Sequence, residues 1–328
     1  MVLNVISVLA LVALAAFFGW LATRAWRSRS AIVRWPGLVL SGLLSLILVA
    51  VTLVALLGFY RLGVAPYRYT VSDVAVAMTP EQVARGEDLA HLCADCHSSA
   101  GQLPLDGSAE NFLAGPGVPP LGELWATNLT PGGPLKDWTD GEIIRAIREG
   151  VDNNGRPLFA MPSMGLHAMS DADAQALVAY LRSQPAVERD IPDRNLNVLA
   201  ALFVGAGMVP SSAMEPITAP VAHPELGTAE YGRYLTQAFG CIDCHGERLD
   251  GVPLVSMAPG GINLTTTVPQ YGEADFIRLF REGVHPSGRP IDSAAMPWKS
   301  YSEAFTDEEL SSLYIYLHGL ERVETPPQ

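Results

Sequence analysis

The stretch "CADCH", Cys93–His97, returns as "CIDCH", Cys241–His245, with only its second residue changed. The four cysteines of the chain all lie in these two units, so no thiol remains for a structural disulfide. Working outward, the surroundings repeat as well. "ARGEDLAHLCADCH", "TNLTP", "RAIREGVDNNGRPLFAMP" and "MSDADAQALVAYLRS" are followed in the same order by "EYGRYLTQAFGCIDCH", "INLTT", "RLFREGVHPSGRPIDSAAMP" and "FTDEELSSLYIYLHG". Asn128 to Met161 and Asn263 to Met296 are both 33 residues. Four ordered blocks at matched spacing are an internal duplication, with one structural unit per copy. The copies differ mainly after the Cys motif, where the first loop is thirteen residues longer.

Each copy reads as helical. One helix leads into the motif, over about Pro80 to Leu92 and Thr228 to Phe239. A second covers Thr139 to Val151 and Glu273 to Val284. In the first copy it has Thr139 as N-cap, an apolar face at Ile143, Ile144 and Ile147, and a stop at Gly150. The last helix opens at Ser170 and at Thr306, where Thr306 with Glu309 forms a capping box and Ser170 with Asp173 a weaker one. No alternating strand pattern stands out.

Cys-x-x-Cys-His matches the attachment site of c-type haem: two thiols to bond the porphyrin vinyl groups and an adjacent imidazole to reach the iron. A thiol redox pair is expected near a βαβ pattern, which is absent, and a zinc site needs a second ligand pair at a matching distance. Two motifs in matched repeats therefore predict two covalent haem c groups, on Cys93 and Cys96 and on Cys241 and Cys244, with His97 and His245 as axial ligands. A thioether is a common sixth ligand in electron-transfer cytochromes. Repeat register selects Met161 in "AMPS" and Met296 in "AMPW", over Met164, Met169 and His167 in the first copy. Recurring polar and aromatic residues near this site are pocket candidates: Asn128 and Asn263, Arg156 and Arg289, Trp138 and Trp298. His91, His223, His285 and His318 show no ligand spacing.

The order helix, Cys-x-x-Cys-His, long loop, Met-Pro, helix resembles class I cytochrome c. The tandem form is similar to the diheme cytochrome c subunits of bacterial membrane dehydrogenases and respiratory complexes, over about Pro80 to Arg322. The resemblance implies that first and last helices cross, which Gly86 with Tyr180 and Gly232 with Tyr316 fit. It also implies that a loop carbonyl beside a proline holds each proximal histidine; Pro119 or Pro120 and Pro253 or Pro259 are the candidates.

The remaining sequence concerns location. Val2 to Thr23 and Pro36 to Tyr60 carry no charge, and each is long enough to cross a hydrocarbon core of about 30 Å. Arg24, Arg27, Arg29 and Arg34 between them place that loop in the cytoplasm by the positive-inside rule. Later residues then fall in the periplasm of a bacterial inner membrane. From Val76 onward 15 basic and 33 acidic residues leave a balance of −18, which repels nucleic acid and suits either a basic protein partner or simply solubility in the medium. The expected architecture is all-α: a hairpin over 1–75, cytochrome c domains over 76–186 and 227–328, and a linker over 187–226. Within that linker Val198 to Val209 is apolar but too short to span a bilayer and is expected to pack against one of the domains, with lying in the membrane interface as the less favoured alternative. The expected function is electron relay between a membrane dehydrogenase or quinol-oxidising complex and a soluble cytochrome or terminal oxidase. The competing class is a diheme enzyme, a peroxidase or sulfur-compound oxidoreductase, which needs one displaceable axial ligand. A haem-based sensor is disfavoured because no signalling domain is attached.

Overall fold

A computed structural model describes residues 2–159, 161, 165–209, 213–252 and 260–325. It divides into two compact units. One comprises Met1–Pro66, Asn111–Leu124 and Asp193–Ser211, and the other holds the rest of the chain.

In the first unit, α1 (Val2–Trp26) and α2 (Ala31–Gly63) form an antiparallel hairpin. Both are long and apolar enough to cross a membrane. Ser45 Oγ donates to the Ala15 carbonyl at 2.9 Å, satisfying a hydroxyl within the pair. Two later segments join this hairpin. Strand β1 (Gly122–Glu123) pairs antiparallel with β2 (Asn195–Leu196), Gly122 opposite Leu196 and Glu123 opposite Asn195. Helix α6 (Val198–Gly205) lies on α2, capped by Asn197, whose Oδ1 accepts from Leu199 N at 2.9 Å. The apolar part of the linker thus packs against the hairpin. The loop that lengthens the first repeat, 111–124, also belongs to this unit.

The second unit contains both repeats. The first supplies α3 (Pro80–His97), α4 (Asp140–Glu149) and α5 (Asp171–Ser183). The second supplies α7 (Ala229–Ala238), α8 (Cys241–His245), α9 (Leu264–Thr267), α10 (Glu273–Glu282), α11 (Trp298–Ala304) and α12 (Asp307–His318). Capping follows local chemistry. Thr139 with Glu142 and Thr306 with Glu309 close reciprocal boxes. Ser170 accepts from Asp173 N, but the Asp173 carboxylate turns elsewhere. Gly150 and Gly283 end α4 and α10 at φ 67° and 64°, the left-handed conformation that suits glycine. The turn after each is closed by one bridge, Val151 to Pro157 and Val284 to Pro290, too short to leave an alternating pattern in sequence.

The crossing of first and last helices occurs in both repeats. A Cβ on Gly86 would sit 2.8 Å from Tyr180 Cβ, and one on Gly232 would sit 2.6 Å from Tyr316 Cβ. Only a missing side chain lets α3 meet α5, and α7 meet α12, at this distance. A shared apolar core runs through both repeats, from Leu89, Ile143 and Val178 to Leu235, Phe276 and Leu313.

The repeats also interlock. Arg85 on α3 donates to Asp173 at 3.0 Å within its own repeat and to Glu309 at 3.2 Å in the other. Tyr231 Oη donates to Glu309 at 2.8 Å, and Tyr234 Oη donates across to Asp173 at 2.5 Å while accepting from Ser170 N. Burial opposes the Arg85 charge, but the two carboxylates outweigh it and raise its pKa. Asp173 and Glu309 are equivalent positions in the two repeats, three residues past the N-cap of the last helix. The junction thus gathers the same position of both last helices around Arg85. Helix α11 packs on α3, where His91 pairs with Glu303 at 2.6 Å and Ser300 Oγ donates to Asp95 at 3.1 Å. Reciprocally, a Cβ on Gly165 would collide with the Gln237 carbonyl of α7.

Candidate functional site

Cys93, Cys96 and His97 occupy the last turn of α3. In the second repeat a break at Gly240, φ 83°, separates α7 from the short α8 that carries Cys241, Cys244 and His245. In both, a helical turn brings the two sulfurs and the imidazole to one end of a helix. None of the four cysteines is in a disulfide. Burial pushes the Cys93 and Cys241 thiols up to about 12. Burial, followed by Asp95 and Asp243 respectively, raises Cys96 and Cys244. A thiol-exchange pair has the opposite environment, one that lowers a thiol pKa.

Each imidazole is oriented by a backbone carbonyl. His97 Nδ1 lies 2.9 Å from Thr127 O, and His245 Nδ1 lies 2.8 Å from Ile262 O. A carbonyl can only accept, so Nδ1 carries the proton and Nε2 presents a lone pair. Burial lowers both histidine pKa values against the opposing effect of these bonds, which favours the neutral ligand form. Two thiols, one oriented neutral imidazole and a matched copy of both are a donor set that fits haem c.

The carbonyl is not that of Pro119 or Pro120, as the resemblance implies; Pro120 O instead accepts from Asn197 Nδ2 at 2.6 Å. Pro253 and Pro259 lie outside the described residues. The acceptors immediately precede Asn128 and Asn263, which explains the recurring "NLT". Asn128 Nδ2 donates to Val187 O at 2.8 Å and Arg189 O at 3.2 Å, and its Oδ1 accepts from Thr130 Oγ1 at 2.7 Å. Asn263 Nδ2 donates to Val323 O at 2.8 Å and Thr325 Oγ1 at 3.1 Å, and its Oδ1 accepts from Thr265 Oγ1 at 2.7 Å. These amides tie the histidine loop to the chain beyond the last helix. Gly261 allows the second loop its approach, since a Cβ there would lie 2.8 Å from His245 Nδ1.

The other candidates divide. Arg156 Nε pairs with Asp152 at 2.8 Å across its own turn, with the arginine side chain 55% exposed. Arg289 is exposed, and its carbonyl accepts from His285 N in the matching turn. Both arginines therefore sit in turns. Trp298 is half-buried over Gly283, its indole N–H donating to Ile291 O at 3.3 Å. Trp138 and Met296 pack against the core, and Met161 is half-buried. Met169 is fully buried in the core, His167 Nδ1 donates to Arg148 O at 2.9 Å, and Met164 lies outside the described residues.

Residues 81–181 match the family model described as cytochrome c oxidase, cbb3-type, subunit III. The first repeat is therefore a cytochrome c domain. Over 104 residues, 30% of this chain, the sequence is 38% identical to a nicotinate dehydrogenase subunit of Pseudomonas putida, covering 8% of that protein. Over 238 residues, 70% of this chain, it is 26% identical to the fructose dehydrogenase cytochrome subunit of Gluconobacter japonicus, covering 46% of it. The chain thus spans less than half the length of either relative.

Proposed function

We propose that this chain is a membrane-anchored, periplasmic diheme cytochrome c of a bacterial inner membrane. In this reading it relays single electrons from a membrane dehydrogenase or quinol-oxidising complex to a soluble cytochrome or terminal oxidase. The observation that carries the second haem site is the histidine–carbonyl–asparagine arrangement repeated around His245, outside the family match. Haem c supplies a one-electron iron couple when bound. Cys93 and Cys96, and Cys241 and Cys244, would hold it by thioethers. His97 and His245 present Nε2 from a fixed ring plane, and Met161 and Met296 would close the sixth position against water and small ligands. The hairpin would cross the bilayer with its arginine loop inside. The relatives support a dehydrogenase partner, and the −18 balance beyond Val76 supports steering of a basic soluble one.

The test is a spectrum of the purified protein. Two haems per chain by pyridine assay, a near-infrared iron–methionine band and no ready carbon monoxide binding are expected. One haem per chain, or carbon monoxide binding at one site, would overturn the relay. Met161→Ala and Met296→Ala should each lower one potential only.

A further inference from the structure

Between Arg194 and Glu215 the chain carries no charge, and this stretch contains α6. Its course along α2 is set by backbone contacts. Arg194 Nη2 donates to Leu62 O at 2.8 Å at one end. Farther along, a Cβ on Gly58 would collide with the Ala201 carbonyl, and one on Gly205 with the Val54 carbonyl. Helix α6 therefore runs antiparallel to α2, from the level of Leu62 to that of Val54, about 12 Å at 1.5 Å per residue. Val54 and Gly58 lie within the uncharged Pro36–Tyr60 run, so the far end of α6 is level with apolar helix and past the Arg61 backbone. Small residues at the contact are the means by which helices approach closely in lipid.

The side chains agree. Ala200, Ala201 and Val204 are buried, while Leu202 and Phe203 are partly exposed and Met208 is 68% exposed. The outward surface of this element is apolar and continuous with that of the hairpin. The polar requirement is met from within: Arg61 Nη1 donates to Val204 O at 3.1 Å and Gly205 O at 3.2 Å. These carbonyls belong to the helix end, where intrahelical donors run out; Val204 O also accepts from Gly207 N at 3.1 Å, and hydrocarbon does not tolerate carbonyls left without a donor.

We propose that α6 and the turn after it form a re-entrant membrane element. It dips into the leaflet at the C-terminal end of α2, and lipid acyl chains cover Leu202, Phe203 and Met208. This rests on the reading of α1 and α2 as a membrane-spanning hairpin. The chain would then meet the bilayer again after the first haem repeat and before the second.

The full-length haem-loaded protein tests this in phosphatidylcholine liposomes. Met208→Cys, Leu46→Cys and Glu321→Cys each receive a nitroxide, with unsubstituted protein as the labelling background and haem content checked. Collisions with oxygen and with a water-soluble nickel chelate are then compared. The oxygen-to-nickel ratio at Met208 should be several-fold above that at Glu321 and close to that at Leu46. A Met208 ratio like that of Glu321, with Leu46 still lipid-exposed, overturns the re-entrant element alone. Nickel access at Leu46 overturns the hairpin reading and this inference with it.

Discussion

The two repeats share a skeleton and differ in wrapping. In both, a glycine lets the first and last helices touch, a carbonyl orients the histidine, and the next residue's amide locks the loop. Around the first repeat, segments 70–74 and 217–220 lie over α4, where Arg145 is 8% exposed and donates to Asp152 O. Its counterpart Arg278 is exposed on α10 and pairs with Asp275 at 2.8 Å. The first repeat's longer loop leaves for the hairpin's unit altogether. Duplication has kept what orients an imidazole and let the outer surface diverge toward different neighbours.

The strongest way to break this pairing is Arg85→Met. It leaves the Asp173 and Glu309 carboxylates, 6% and 4% exposed, without their shared cation. Loss of about 3–5 kcal/mol is expected for breaking a buried pair, measured by chemical denaturation. Separate unfolding of the two repeats would show that the junction had held them as one. Gly86→Ala and Gly232→Ala come next. Each forces a helix crossing apart at a cost of about 1–3 kcal/mol, and similar losses would confirm that the crossings are equivalent. Asn128→Ala should cost about 1–3 kcal/mol for the carbonyls left unpaired and alter the spectrum of the first haem only; a change at both would refute the independence of the loops.

The smallest effect is alkaline. Burial, then Glu87, pushes Tyr180 up to about 12 from 10, and burial also raises Tyr316. A raised tyrosine pKa favours the neutral, folded form, so this contribution is whole below pH 10 and is lost as pH rises toward 12. Melting temperature should fall across that window while tyrosinate absorbance grows. Tyr180→Phe should flatten the decline.

What the sequence made legible was local chemistry: two Cys-x-x-Cys-His units, and Thr139, Ser170 and Thr306 as caps; the Gly86–Tyr180 and Gly232–Tyr316 crossings came from the family resemblance. What it hid was long-range. Thr127 and Ile262 act through main-chain carbonyls, which leave no side-chain signature. Asn128 and Asn263 recur with a loop-tying role that repetition alone did not reveal, because it does not say which role is being repeated. Arg85 meets Glu309 across 224 residues, beyond any periodic signal. Asp95, without meaning inside its motif, accepts from Ser300 of the other repeat.

The Arg85 junction has a kinetic consequence. With Tyr234 and Asp173 bonded across the seam, the two imidazoles cannot drift apart without breaking buried polar contacts. In the diheme reading proposed above, the gap an electron would cross between them is held by these contacts. Transfer would then run over a set distance, like a conductor of fixed length and not a switch.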